Sequence, residues 1–423
     1  MAPTQDASGQ IAFAHGLSAA DDAAAAASGA ASSAMQRLDR PADLALVFIS
    51  TPHVAEAATV SKIVREITNA RCLVGVSGVG VLAGDREFDD GPGVAVLVAS
   101  MPGVQIEPFA GPEVLDASDD PERLARVIHA GPDQKGLILF ADAFSVPVGG
   151  LLARINDARI QAGVDLRESP LIGGMASAGD EPGANAMFLN DRVFNSGVVG
   201  VSFRGPVRID AVVSQGCKPF GPNFVITKAR PNLIQELGGR PAMERIEEAV
   251  EDLEQADRKL LAGGLLLGRV VDERKPRFGR GDYLIRHIVG IDKRSGAVAV
   301  DDRLRTGQTV RLHLRDRETA SSDLLLLMDA QRLQDAPAGA LVCTCNARGS
   351  ALFGRPHHDA MAVARAFQTV EPGERAARGG QPIDAGAPIL PTAGFFAAGE
   401  IGPIAGQGFL HTQTACIALF RAE

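Results

Sequence analysis

Continuously apolar runs, closed by glycines and separated by helix-period stretches, organise this chain. LALVFIS (Leu44–Ser50) reads as a buried strand, Val54 to Asn69 as a helix, CLVGVSGVG (Cys72–Gly80) as a strand entering a glycine-rich turn, and GVAVLVASM as another strand. The order recurs twice. GLILFADAF (Gly136–Phe144) leads to a helix near Gly149 to Ala162, then PLIGGMASAG and NSGVVGVSF, which ends at Phe203. GALVCTCNARG (Gly339–Gly349) leads to a helix from His357 to Thr369, then AGFFAAGEIGPI (Ala393–Ile404) and TACIALF. Three strand-helix-strand units of this kind predict an α/β (α+β) fold of layered sheets and helices.

Outside the repeats, Ile11 to Gly16 reads as a short strand. Ala19 to Leu38 reads as a helix on alanine propensity, ending before Pro41. Pro241 to Leu261 reads as a helix with acidic early turns and proline near its start. GDYLIRHIVGID, GAVAVDD and TVRLHLRD alternate as antiparallel strands between turn residues. A boundary near Thr227 to Gly239 divides the chain into a tail over residues 1–10, an α/β domain over 11–230 and a second over 231–423. Two domains also suit 423 residues.

Composition narrows the function classes. A net charge of -9 with scattered Lys and Arg argues against nucleic acid or anionic lipid as partner. There is no Trp and only Tyr283, so stacking platforms for bases would rest on Phe alone. No apolar run approaches the ~20 residues of a membrane helix. The start lacks a basic segment followed by an apolar core, so a cytoplasmic location is expected. Five cysteines, an odd number, are expected as thiols and not as a disulfide framework.

Several stretches in order resemble the FIST family (F-box and intracellular signal transduction proteins) over about Ile11 to Phe420. LVGVSGVG, the acidic Glu87 to Asp90 and GVAVLVAS are similar to its N-terminal domain. GPNFVITKARPNLIQELGGRPAMERI, GDYLIRHIVGID, RTGQTVRLHLRD with Asp323, ARGSALFG with His358-Asp359, GFFAAGEIGPI and FLHTQTA are similar to its C-terminal domain. The resemblance implies a sensory input module for small ligands such as amino acids. Output would pass through a separate signalling partner or a change of homo-oligomer. It also makes haem an alternative ligand class, for which His287, His313, Cys343, Cys345 and His411 are the candidate axial ligands, without a Cys-x-x-Cys-His attachment motif.

Candidate site residues cluster at strand ends, where open α/β sheets bind ligands. The glycine turns with Ser77, Gly78 and Gly80 offer backbone N–H groups to a ligand or simply pack tightly. They are not a P-loop, since no Lys-Ser/Thr follows. In Cys345-Asn346-Ala347-Arg348-Gly349 the guanidinium suits a ligand carboxylate, and the alternative is an Arg paired with a local carboxylate beside buried cysteines. Glu400, with Gly402 beyond it, would receive an ammonium, so that Arg348 and Glu400 together match an amino acid. His358 is a further binding candidate, and Asp359 is expected to serve a helix N-terminus. No metal site is expected from a lone Cys-x-Cys or adjacent histidines. Catalysis is not expected either. The enzyme alternative is Cys345 with His358 as base, and a third alternative is an interaction scaffold.

Overall fold

The computed structural model describes residues 10–368 and 388–423. The expected tail, Gln10 apart, and the expected helix end at Thr369 lie outside the described residues. Contacts divide the chain into two compact units. The first takes 1–213, 325–410 and 415–423, and the second takes 214–324 with 411–414. This differs from a linear cut at 230/231, because the third repeat hydrogen-bonds with strands of the first two and belongs to their unit.

The first unit begins with β1 (Ala12–Ser18) and α1 (Ala23–Leu38). Asp22 caps α1 by accepting from the Ala25 N–H at 2.7 Å, and a left-handed Asp39 ends it. Its buried face is almost wholly alanine, which lets the helix lie so close to β1 that a Cβ on Gly16 would sit 1.9 Å from the Ala30 carbonyl oxygen.

The first repeat contains β2 (Leu44–Ser50), α2 (Ala57–Thr68), β3 (Cys72–Gly78), the hairpin β4 (Val81–Ala83) and β5 (Arg86–Phe88), and β6 (Val94–Ser100). β7 (Gln105–Ala110), α3 (Gly111–Ala117) and α4 (Pro121–Val127) lead to the second: β8 (Gln134–Ala141), α5 (Val148–Gln161), β9 (Leu171–Met175), the hairpin β10 (Met187–Leu189) and β11 (Arg192–Phe194), and β12 (Val198–Arg204). β13 (Val207–Gln215) follows.

The second unit contains β14 (Cys217–Arg230), β15 (Leu233–Leu237), β16 (Arg240–Pro241), α6 (Ala242–Glu251), β17 (Leu265–Val270), β18 (Tyr283–Asp292), β19 (Ala297–Val300) and β20 (Thr309–Arg315). Its strands run in the order β14-β20-β17-β18-β19-β15-β16, and a further β14–β15 pairing closes an antiparallel ring. Phe224, Ile234, Leu267, Val298 and Leu312 are among the residues filling its core. The helix expected to reach Leu261 stops at Glu251, and a separate 3-10 turn covers Arg258–Gly263. Glu251, Asp252 and Glu254 would place negative charge at the negative end of the helix dipole, with no basic residue in the last turn to offset it.

After α7 (Arg317–Gln331) the third repeat contains β21 (Gly339–Cys345), α8 (Gly349–Phe353), α9 (His358–Ala364), β22 (Thr392–Ala397), the hairpin β23 (Glu400–Ile404) and β24 (Gln407–His411), and β25 (Thr414–Ala422). All three repeats have the same pairing. β2 with β3, β8 with β9 and β21 with β22 are parallel, and β6, β12 and β25 lie antiparallel on the other side of β2, β8 and β21.

Each repeat then gives its hairpin to another repeat's sheet. β4–β5 extends from β22, β10–β11 from β3 and β23–β24 from β9, producing the sheets β1-β6-β2-β3-β10-β11, β24-β23-β9-β8-β12-β7 and β13-β25-β21-β22-β4-β5. One face of each sheet joins a shared core that includes Leu46, Phe48, Ile138, Phe140, Leu341 and Phe395. Phe48, Phe140 and Phe395 meet there with ring centroids 5.5–5.8 Å apart. The other face of β2 packs on α2 and shares an apolar cluster with the alanines of α1, which explains why the run lacks polar alternation.

Candidate functional site

The carboxyl end of β21 carries a buried polar cluster. Arg348 meets Asp359 through Nε to Oδ2 at 2.6 Å and Nη2 to Oδ1 at 2.8 Å. Thr344 Oγ1 donates to Asp359 Oδ2 at 2.6 Å, and His358 Nδ1 lies 2.9 Å from Oδ1 with its ring stacked on Phe353. Burial opposes the charge of Asp359, yet the attraction and hydrogen bonds of Arg348 hold its carboxyl well below the usual range. Burial likewise lowers Arg348 and Asp359 more than restores it, so the guanidinium remains charged.

The first turn of α9 is served by Glu87, not by the Asp359 side chain. Glu87 Oε2 accepts from the His357 N–H at 2.9 Å and Oε1 from the Ala360 N–H at 2.8 Å. Burial, with the nearby charge of Asp359, pushes the Glu87 carboxyl up to about 7. The exchanged hairpin β4–β5 therefore holds the third repeat's helix.

The strand-end candidates separate into two groups. Cys345, Arg348, His358 and Glu400 belong to one buried neighbourhood, in which Cys345 and Glu400 both act electrostatically on Arg348. The Arg348 guanidinium, expected as a clamp for a ligand carboxylate, is instead engaged by Asp359, and Glu400 is fully buried. Asn346 is exposed and donates its N–H to the Ala397 carbonyl, and Gly349 has φ +59° with Asp89 Oδ2 2.8 Å from where a Cβ would be. Ser77, Gly78, Gly80 and Gly402 are packing positions. Ser77 Oγ accepts from the Ala186 N–H at 2.9 Å, and a Cβ on Gly78, Gly80 or Gly402 would fall within 2.9 Å of a neighbouring atom. None of these ten residues lines the cavity described next.

That cavity, of about 580 Å³, lies in the first unit between β1, α1, the β4–β5 hairpin and the segment 388–391. His15, Ser33, Arg37, Asp85, Arg86 and Arg365 supply polar walls, and Phe13, Leu17, Phe88 and Ile389 apolar ones. Arg37 Nη1 lies 3.0 Å from His15 Nε2 and 3.1 Å from its carbonyl oxygen. Arg is only a donor, so Nε2 accepts and the His15 proton sits on Nδ1, which is buried without a hydrogen-bond partner. Burial and the Arg37 charge lower His15 to about 4, with Asp85 acting the other way. Arg365 closes on Asp85 through Nε at 3.1 Å and through Nη2. Gly84, at φ +57°, would place a Cβ 2.5 Å from His15 Nε2, so this turn requires glycine.

None of the five candidate haem ligands lines this cavity. His313 Nδ1 donates to the Arg311 carbonyl and its ring meets Tyr283, while Cys343 lies in the shared core. These residues do not fit haem here. Among the described residues no group of three or more His, Cys, Asp or Glu is arranged to hold a metal ion, and no helix is long and apolar enough to cross a membrane. The cavity residues range from position 13 to position 391, and only the Gly84-Asp85-Arg86 turn offered a local signal.

Fold and cavity first define a class: an α/β protein of three hairpin-exchanging repeats, with an antiparallel ring inserted and a mixed polar and apolar cleft on the repeat unit. Residues 43–240 match the FIST N domain and residues 242–403 the FIST C domain, and the chain belongs to the FIST family, whose domains are associated with sensing in signal transduction. An uncharacterised protein of Mycobacterium bovis is 37% identical over 385 residues, covering 89% of this chain and 90% of its own. An uncharacterised protein of Mycobacterium tuberculosis is 34% identical over 383 residues, covering 89% and 91%.

Proposed function

We propose that this chain is a non-catalytic, cytoplasmic small-molecule sensor whose ligand occupies the cavity at His15, Arg37 and Asp85. The observation that carries the reading is the cleft itself. Its volume lies within the ~300–1,000 Å³ of small-ligand sites, with apolar walls and a few convergent polar groups. The family's association with sensing supports it.

Arg365 extends the reading to output. It follows α9, whose first turn holds His358 and Asp359, so a ligand that displaces Arg365 from Asp85 pulls on the helix tied to the buried cluster. The signal then passes to a separate partner or a homo-oligomer. An amino acid held between Arg348 and Glu400 loses support, because the Arg348 fork is already taken by Asp359.

The test is thermal unfolding across a small-molecule panel, with wild type beside Ser33→Trp, which fills the cleft. A compound bound only by the native state raises the midpoint by mass action. A shift in wild type that Ser33→Trp abolishes supports the reading. An equal shift in both sinks it.

A further inference from the structure

We infer that the cavity takes a small anion with an apolar body, a carboxylate or phosphate ester of a compact hydrocarbon, whose head is held by Arg37 and Arg86. The inference rests on the cavity being the ligand site and adds the chemical class.

Charge on the cavity wall opposes that of the chain. A molecule of net charge -9 gathers three guanidinium groups here against one carboxylate, Asp85. Asp85 is already engaged by Arg365. Arg37 contacts only the ring nitrogen and carbonyl of His15, neither of them anionic, and exposed Arg86 has no hydrogen-bond or ion-pair partner among the described residues. Two cations therefore lack a counter-charge at one cleft. Guanidinium geometry suits the paired oxygens of a carboxylate or phosphate.

His15 adds an independent indication. Its acceptor nitrogen Nε2 is taken by Arg37, so the ring keeps no acceptor for a ligand ammonium. Anionic oxygens are acceptors, and an ammonium is not. A cationic ligand would meet Arg37 and Arg86, and it would reach Asp85 only by displacing Arg365. Phe13, Leu17, Phe88 and Ile389 complete the cleft, so a bare inorganic anion would leave its apolar walls uncovered.

The experiment titrates the full-length protein with phenylacetate, phenyl phosphate, inorganic phosphate, L-phenylalanine and phenethylammonium, reading thermal midpoint and calorimetric affinity. Either aromatic anion should bind at least tenfold more tightly than phenethylammonium, L-phenylalanine or inorganic phosphate. Whichever of the two binds more tightly names carboxylate or phosphate. Arg37→Gln with Arg86→Gln should weaken that binding at least tenfold, while added salt weakens it in wild type. Equal or better binding of phenethylammonium or L-phenylalanine, or unchanged anion binding in the double variant, overturns the anion class. Inorganic phosphate binding as well as the aromatic anions overturns the apolar body. If Ser33→Trp abolishes binding in either case, the cavity remains the ligand site. If none of the five binds wild type, both the class and the cavity reading fall.

Discussion

Arg348 and Asp359 face each other in two parallel hydrogen bonds at 2.6 and 2.8 Å, and neither side chain is more than 1% exposed. The pair links the end of β21 to the first turn of α9. A charged pair this deep costs desolvation on both sides, which the bidentate geometry and the Thr344 and His358 contacts offset.

Removing one partner should therefore cost far more than the pair is worth. Asp359→Ala leaves a buried guanidinium without its carboxylate and is expected to lower unfolding free energy by about 3–5 kcal/mol. Urea unfolding measures it. The joint change Arg348→Met with Asp359→Leu should recover much of that loss, and a double variant as unstable as Asp359→Ala would show that shape, not charge, dominates.

The strand pairs inside each repeat depend on backbone contact that side chains would prevent. A Cβ on Gly75 would lie 1.9 Å from the Val47 oxygen, on Gly173 1.8 Å from Leu139 and on Gly394 1.7 Å from Val342. Alanine at any one of these should leave little soluble folded protein. Gly149→Ala in the first turn of α5 meets nothing within 4 Å and should be neutral or stabilise by about 0.5–1 kcal/mol. Circular dichroism with thermal melts separates the two behaviours.

The buried strands of the repeats were legible because strands covered on both faces are almost wholly apolar, as in LALVFIS and GALVCTC. Pairing across repeats was not. VLA and REF have three residues each, too few for any period to register, and alternation does not specify which sheet a hairpin joins. That exchange brings Asp85 and Arg86 to His15 and Arg37, and Glu87 to α9, so the cavity was hidden with it. Arg348 was recognised as important by type and position, but its partner sits eleven residues away across a turn. An arginine at a strand end reads the same whether it awaits a ligand or a neighbouring aspartate.

Cysteine chemistry tests the non-catalytic reading. All five thiols are buried, and burial pushes Cys72 up to about 12 and Cys343 well above its usual value. Iodoacetamide at neutral pH should leave them unmodified in the native protein and label all five in urea. Selective native labelling of Cys345 would return weight to a nucleophile activated by Arg348.

Stability should respond to pH through His15. Its folded value of about 4 lies below the ordinary 6.5, because burial and the Arg37 charge disfavour the imidazolium more than Asp85 favours it. Between those values the unfolded chain takes up a proton that the native chain refuses. Stability is therefore fully present above about pH 6.5 and declines as pH falls toward 4, by an amount on the order of 3 kcal/mol at full extent. His313, also lowered to about 4 by burial, adds to the decline, whereas Glu87, raised to about 7, gives the opposite slope between about pH 4.5 and 7. Subtracting a variant isolates the contribution of His15. The unfolding free energy of wild type minus that of His15→Gln should fall as pH is lowered from 6.5 to 4.5, and a difference that stays flat would mean that the ring is protonated in the folded chain as readily as in the unfolded one.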